Sequence, residues 1–508
     1  MISEISDRVH GAIVSSPTQY GNIDRPWGFV YDFAVPLHKL VNTHQPYAWG
    51  SIDVIPQFLG LPAGEHPVAE VWMGAHPKAS SSIEGNGTLL EHLAGDPSSV
   101  LGDESVKTFG RRLPFLVKLL AAEKALSVQA HPDLQQAAEG FSREERSGID
   151  RLAPDRTYRD RGHKPELMYA LSEFWALCGF RSWEESASDF AEAGLSHLWP
   201  DGHVRPDGHL RPDEETTGAP AGPTADVSAG PTAGVSVGVL ERAFVAIYSL
   251  DAGARREAAA AAVSYAEKRL AGQGSREPGK VPQELARYAW IVRLSTLYPH
   301  DVGLLAPLYL NLVHLQPGDA LFQPARTLHA YLHGFGVEVM AASDNVVRAG
   351  LTVKHVDDRE LARILRFESV SPRLYTSAET VRGEAAEFSA WMYNRPASLE
   401  VRAADDSVSA ESNPGGRGDS PPTADRLEVE LGDSAAVVVC TRSGLDVDVR
   451  DGSVSAKRGD SFFVDAGAGR VTLSGGGAGV VVRTGLRDLA GDATALAGNP
   501  GLNWDDVS

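Results

Sequence analysis

Residues 321–354 read LFQPARTLHAYLHGFGVEVMAASDNVVRAGLTVK. Strand-like alternation around a turn runs through this stretch. It also carries His329, Glu338, Arg348 and Lys354, a set of residue types that an ordinary apolar core does not collect. Two upstream segments, SVQAHPD (Ser127–Asp133) and GHKPE (Gly162–Glu166), add the donors needed for a complete metal site.

Outward from this stretch the signals are mostly of the β type. PLHKLVNTHQPYAWGS, from Pro36, predicts a short strand and a turn, with Tyr47 and Trp49 toward one face. AEVWMGAHP (Ala69–Pro77) predicts a second strand, and LPFLVKLLAAEKALSVQAHPD (Leu113–Asp133) two apolar segments broken by a charged turn. Between about 167 and 305 the period changes. LMYALSEFWALCGF, SASDFAEAGLSHLW, REAAAAAVSYAEKRL and PQELARYAWIVRLSTLY place apolar residues three and four apart, the helical signature. Strand-like sequence resumes at APLYLNLVHLQPGDALF.

The organisation expected is mainly β with an α-helical insertion. Residues 1–34 are an extension without periodicity, 35–166 and 306–395 two parts of one β domain, and 167–305 the helical insertion. Inside the insertion, the PDGH repeats with His203 and His209 and the tandem AGPTADVS/AGPTAGVS are too rich in Gly, Pro, Ser and Thr to offset ordering entropy, so a disordered loop is expected over about 200–238. A linker at 404–425, which contains an RGD triplet read as chance, precedes alternating strands LEVELG, AAVVVCT, LDVDVRDG, SVSAKRGDSFFV and GVVVRTG. These predict a C-terminal β-sandwich over 396–508.

The chain has 508 residues, 43% apolar and 22% charged, with a net charge of −20. That size predicts two or three domains. The charge repels nucleic acid and anionic membrane surfaces, so an anionic substrate needs a local cluster of cations. The two cysteines, Cys178 and Cys440, are far apart and predict no disulfide framework. No apolar run reaches the roughly 18 to 20 residues of a bilayer span, and MISEISDRVHGAIVSS lacks a secretory pattern. A cytoplasmic protein is expected.

On a strand, Gln129 and His131 share one face. Glu166 follows a proline, and His329 lies in a distant strand, so the four meet only through folding. One amide oxygen, two imidazoles and a carboxylate suit zinc, at about 2.0–2.2 Å for the His and carboxylate contacts; donors without thiolate also accept manganese or iron. No single spacing here decides the chemistry. Wording and order do.

SVQAHPD, GHKPE, HAYLHG and SDNVVRAGLTVK, in this order and divided by a helical insertion, resemble the type I mannose-6-phosphate isomerases, or phosphomannose isomerases. YAWGS (Tyr47–Ser51), AEVWMGAHPKASS (Ala69–Ser81) and LPFLVKLL (Leu113–Leu120) resemble the same family, so the likeness covers most of residues 36–366. It implies a cupin-type jelly-roll catalytic domain, a helical domain and a second, C-terminal jelly-roll-like β-sandwich. QPGDALFQPARTLH (Gln316–His329) looks like a cupin strand pair. One zinc ion per chain, bound by Gln129, His131, Glu166 and His329, is implied, with a phosphosugar as partner and a monomer or weak homo-oligomer as the assembly. Where the family has proline before the ligand histidine, this chain has Leu328, which leaves the geometry of the preceding loop open.

The implied reaction moves a proton between C2 of mannose 6-phosphate and C1 of fructose 6-phosphate through a cis-enediol, in mannose metabolism and the supply of GDP-mannose. It needs a base near both carbons and an electrophile near both oxygens. The family's active-site residues match Ser127, Lys164, Glu338, Asp344, Arg348 and Lys354. The resemblance offers Arg348, Glu338 and the pair Lys164 with Asp344 for proton handling, and Lys164 or Glu338 is expected to move the proton. Arg348, which stays protonated, suits enediolate charge. Ser127, Lys118 and Lys354 are the phosphate candidates, and Trp49 a further substrate contact. His76 and Lys78 are pocket candidates. KRGDSFFV (Lys457–Val464) echoes a cupin turn without a following histidine. Two other readings compete: a metal-dependent cupin oxygenase, and a non-catalytic sugar-phosphate-binding cupin.

Overall fold

The strand His329–Ala341 belongs to two sheets at once. Its first residues pair with Val128–Ala130 on one side and Phe174–Phe180 on the other. Its later residues pair with Phe115–Ala122 and Glu166–Ala170. The resulting sheet has eleven strands, all adjacent pairs antiparallel, and this strand closes it into the expected jelly roll. The computed structural model describes residues 36–199, 233–376, 380–394 and 426–488. The extension 1–34, the linker 404–425, His203, His209 and the RGD triplet lie outside them.

Period-2 alternation sorts side chains into layers. Within the roll, Leu120, Ala122, Met168, Ala170, Ala176, Cys178 and Tyr331 form an inner core. On the outside of one sheet Trp175 and Leu177 meet Trp290, Ile291 and Phe244 from the helices. On the outside of the other, Val117, Leu119, Leu167 and Val337 meet Val437, Val439, Phe463 and Val480 of the C-terminal region. There Val438, Cys440 and Val481 turn the opposite way, toward Val429, Val447, Val471 and Leu473. The strands after residue 425 form a four-stranded sheet and supply three strands of a facing eight-stranded one. Its other five, Leu37–Val41, Ser82–Ile83, Asn86–Thr88, Thr380–Val381 and Ser389–Asn394, lie outside the expected 396–508. Of these, Leu37–Val41 pairs with Ser461–Val464. Burying each of these Val or Leu side chains contributes about 1.5–3 kcal/mol.

Leu167–Phe180, expected as helix, consists of two strands, Glu166–Ala170 and Phe174–Phe180, buried at every position. A strand covered on both faces is a continuous apolar run, and in so short a run helical spacing arises by composition alone. The helices of the insertion begin at Trp183, where Ser182 accepts from the backbone N–H of Glu185. They continue with Ala233–Tyr248, Ala252–Arg269 and Ala286–Leu297. Residues 233–238, expected in the loop, are helical. Leu134–Arg146 is a helix with a capping box between Asp133 and Gln136, which the sequence reading passed over.

Candidate metal centre and active site

Glu166 shares its parity with Met168 and Ala170, so its carboxylate enters the roll. Its Oε1 lies 3.3 Å from His131 Nε2 and its Oε2 3.2 Å from His329 Nε2. All three residues are buried, at 1–2% exposure. Neither Nε2 atom, nor Glu166 Oε2, makes a hydrogen bond. Buried polar atoms are rarely left so.

The other ring nitrogens explain the orientation. His131 Nδ1 lies 2.7 Å from the Asn345 carbonyl oxygen and His329 Nδ1 2.9 Å from that of Thr327. A carbonyl only accepts, which assigns the proton to Nδ1 and an inward lone pair to each Nε2. Burial, with Lys164 nearby, pushes His131 down to about 4, so the imidazole stays neutral, the form a metal binds. The fourth candidate, Gln129, stands directly opposite His329 in the strand register. Ser127 Oγ donates to Gln129 Oε1 at 3.3 Å. Two imidazole nitrogens, a carboxylate and an amide oxygen fit one divalent ion.

A polar lock holds this centre from behind. Asn345 Nδ2 donates to the carbonyls of Asp160 and Gly162, both at 2.8 Å, and its Oδ1 accepts from the backbone N–H of Arg159 at 2.7 Å. Asp160 Oδ1 accepts from Ser343 Oγ at 2.8 Å and from the backbone N–H of Gly162 at 2.8 Å, while its Oδ2 accepts from the Asp344 N–H at 2.8 Å. The carbonyl that orients His131 is therefore fixed by a buried network between residues 160–162 and 343–345. The segment before His329 is fixed as well. Arg326, at φ 69°, donates its N–H to the His131 carbonyl at 2.7 Å, and Leu328, in place of the family's proline, is buried in the core shared with the helices.

The other predicted residues are distributed around this centre. Burial works against the Glu166 charge, but Lys164, with Nζ 2.8 Å from Oε1, and His131 outweigh it and hold the carboxyl well below its usual range. Arg348 stands opposite Gln129 on the strand side away from His329. Burial, then Arg159, lowers Arg348, and burial, then Arg348 and Arg159, lowers Lys354, so the three cations sit within each other's fields. Lys354 is exposed and follows Val353, which is fully exposed. Asp344 is engaged by His76 Nε2 at 3.4 Å and Lys78 Nζ at 2.5 Å rather than by Lys164; burial opposes its charge, but His76 and Lys78 hold it well below the carboxylate range. Trp49 stacks on Tyr47 at 5.8 Å and packs at the edge of the inner core.

Lys118 is not a solvated phosphate candidate. It is buried, 2.9 Å from Glu338 Oε2 and 3.5 Å from Glu70 Oε1. Burial works against its charge, but the two carboxylates outweigh it and keep Lys118 protonated above the ordinary lysine value. Burial likewise pushes Glu338 up, partly offset by Lys118. A cavity of about 450 Å³ is lined by His76, Lys78, Arg112, Arg159, Asp160 and Asp344, among others, and by none of the four metal candidates.

Sequence reasoning missed Glu70, Arg159, Asp160 and Asn345. Asn345 lay within the quoted SDN run, where Ser, Asp and Asn signal a turn that hydrogen-bonds its own surroundings; Asp160 had no such signal.

A jelly roll with a buried His-Glu-His centre, backed by oriented imidazoles, defines a metal-binding cupin. Residues 37–183 match the model of the phosphomannose isomerase type I catalytic domain. A mannose-6-phosphate isomerase of Escherichia coli (strain K12) is 31% identical over 451 residues, spanning 87% of this chain and 98% of that protein. The rat enzyme of the same name is 32% identical over 336 residues, 64% of this chain and 71% of that protein. The crystal structure of mannose 6-phosphate isomerase from Salmonella typhimurium, bound to its substrate fructose 6-phosphate and to zinc, superimposes with a TM-score of 0.66 at 28% identity, covering 89% of this chain and all of that one. The chain belongs to the type I mannose-6-phosphate isomerase family.

Proposed function

We propose that this chain reversibly interconverts D-mannose 6-phosphate and D-fructose 6-phosphate through a cis-enediol, with one zinc ion held by Gln129, His131, Glu166 and His329. The observation that carries the reading is the set of buried, unpaired donor atoms, His131 Nε2, Glu166 Oε2 and His329 Nε2, in a chain of this family. When bound, zinc supplies electrophilic polarisation of the sugar carbonyl.

The chain's own side chains do the rest. Lys164 and Glu338 are the proton carriers between C2 and C1. Burial raises the Glu338 carboxyl, partly offset by Lys118, which favours a group that takes up and returns a proton. Arg348 remains protonated and offers its guanidinium to the enediolate oxygens. Lys354 and Arg159 extend this positive region, and in a chain of net charge −20 such a local cluster is what a phosphate requires. Ser127 orients Gln129, and Trp49, packed against the inner core, is a further substrate contact. Asp344 holds His76 and Lys78 in place.

We read the setting as cytoplasmic and the protein as a monomer or weak homo-oligomer. Both cysteines are free and buried, in keeping with a reducing compartment, and among the described residues no helix is long and apolar enough to cross a membrane. A coupled assay for fructose 6-phosphate formation, run with the metal-loaded protein and after chelation, tests the function. Turnover that chelation abolishes and zinc restores is expected. Metal-independent turnover, or sugar-phosphate binding without turnover in the zinc-loaded protein, overturns it.

A further inference from the structure

A second cluster of metal-ligand type lies outside the active centre and shares no residue with it. His38 Nε2 is 2.9 Å from Asp465 Oδ2, and His92 Nε2 is 2.9 Å from Asp465 Oδ1. The three ligand atoms lie within 4.8 Å of one another. The two imidazole rings stand 4.5 Å apart at 61°, and both contact the buried Phe463 ring, at 6.5 and 6.3 Å. Their rotamers are thus set by packing as well as by the carboxylate.

The three come from separate parts of the fold. His38 is on the Leu37–Val41 strand, opposite Phe463. His92 is on the helix Leu89–Gly95. Asp465 follows the Ser461–Val464 strand, and its backbone N–H donates to the Pro36 carbonyl at 3.0 Å. Backbone pairing therefore fixes where His38 and Asp465 sit, and the helix brings the second imidazole over them.

We propose that His38, His92 and Asp465 form a second, structural site for a divalent transition metal of the zinc class. Two imidazoles and one carboxylate are the donor types such ions prefer. The side chains are partly buried, at 12%, 22% and 16% exposure, which shields the site yet leaves water access to the remaining coordination position. The ion replaces two imidazole N–H donors with a single bond centre. It then joins residues 427 and 373 positions apart in sequence, so its binding free energy is held by the folded chain alone. The site does not depend on the isomerase reading.

The test is metal stoichiometry of the full chain, loaded with zinc, dialysed and read by elemental mass spectrometry alongside isomerase activity. Two zinc ions per chain are expected in the native protein and one in His92→Gln, with kcat/KM within about twofold of native. His329→Ala is expected to hold one as well, without activity. His38→Gln serves as a second variant should His92→Gln not fold. Cobalt loading gives an independent readout: the visible absorption of the native protein should exceed that of His92→Gln by the contribution of one site. One zinc per chain in the native protein, or two retained in both glutamine variants, overturns the proposal.

Discussion

Lys118 and Glu338 face each other across adjacent antiparallel strands inside the roll, both buried, with 2.9 Å between Nζ and Oε2. Lys118→Met leaves Glu338 and Glu70 buried without their cation and should cost about 3–5 kcal/mol in urea-monitored unfolding. A loss below about 1 kcal/mol would show that the carboxylates find water or another partner.

The lock behind His131 is expected to act through metal affinity. Asn345→Ala frees the loop whose carbonyl orients the imidazole, without touching a ligand. Zinc affinity should fall roughly 10–100-fold, as for other residues that orient a metal ligand, while kcat at saturating zinc changes less. Competition with a chromophoric chelator measures it, and unaltered affinity would assign the network to folding alone.

Lys164→Met separates the two proton carriers. Proton exchange at C2, followed by NMR in deuterated solvent, should be lost together with turnover. Near-normal exchange would leave Glu338 as the base.

Arg348→Ala should reduce kcat by about 10²–10³-fold, the usual cost of removing one donor to developing negative charge. Arg348→Lys should recover part of it, since charge is kept and the planar fork is lost. A change confined to KM would move Arg348 from the reacting oxygens to ground-state binding.

His163 and Glu387 predict a pH dependence of stability. His163 Nε2 lies 2.7 Å from Glu387 Oε1. Burial lowers His163, but Glu387 outweighs it and the net shift is upward; burial opposes the Glu387 charge, but His163 draws it down. The stabilisation from His163 is therefore complete below its unfolded pKa of about 6.5 and is lost as pH rises through its folded value. That from Glu387 is present above its unfolded value and is lost as pH falls through its depressed one. The difference in unfolding free energy between the native protein and His163→Gln should shrink as pH rises above about 6.5. A difference constant from pH 6 to 9 would contradict the pairing.

The sequence announces the candidate ligands because each sits in a short, worded motif, and strand parity turns Gln129 and His131 to one side. What it conceals is anything carried by backbone atoms or by encounters between distant loops. Asn345 matters through its carbonyl and through an amide that meets Asp160 185 residues away, which no spacing discloses. Leu167–Phe180 was legible as buried but not as strand, since full burial erases the alternation that separates the two periods. The reverse holds at Ala436–Arg442, where two apolar environments, one on each face, keep the run apolar while Gly and Asp turns still mark its ends. Lys118 read as a phosphate contact because an acidic chain needs local cations for an anionic substrate. Only the register opposite Glu338 shows otherwise.

The pairing of Leu37–Val41 with Ser461–Val464 has a temporal consequence. At about 5–20 residues per second, the ribosome makes the first of these strands tens of seconds before the second. Through that interval an edge with open backbone donors and acceptors waits for its partner. The eight-stranded sheet thus closes on the earliest strand among the described residues. A chaperone that shields the early strand, or a slower passage through the intervening helices, would set the yield of folded protein without altering any residue of the catalytic centre.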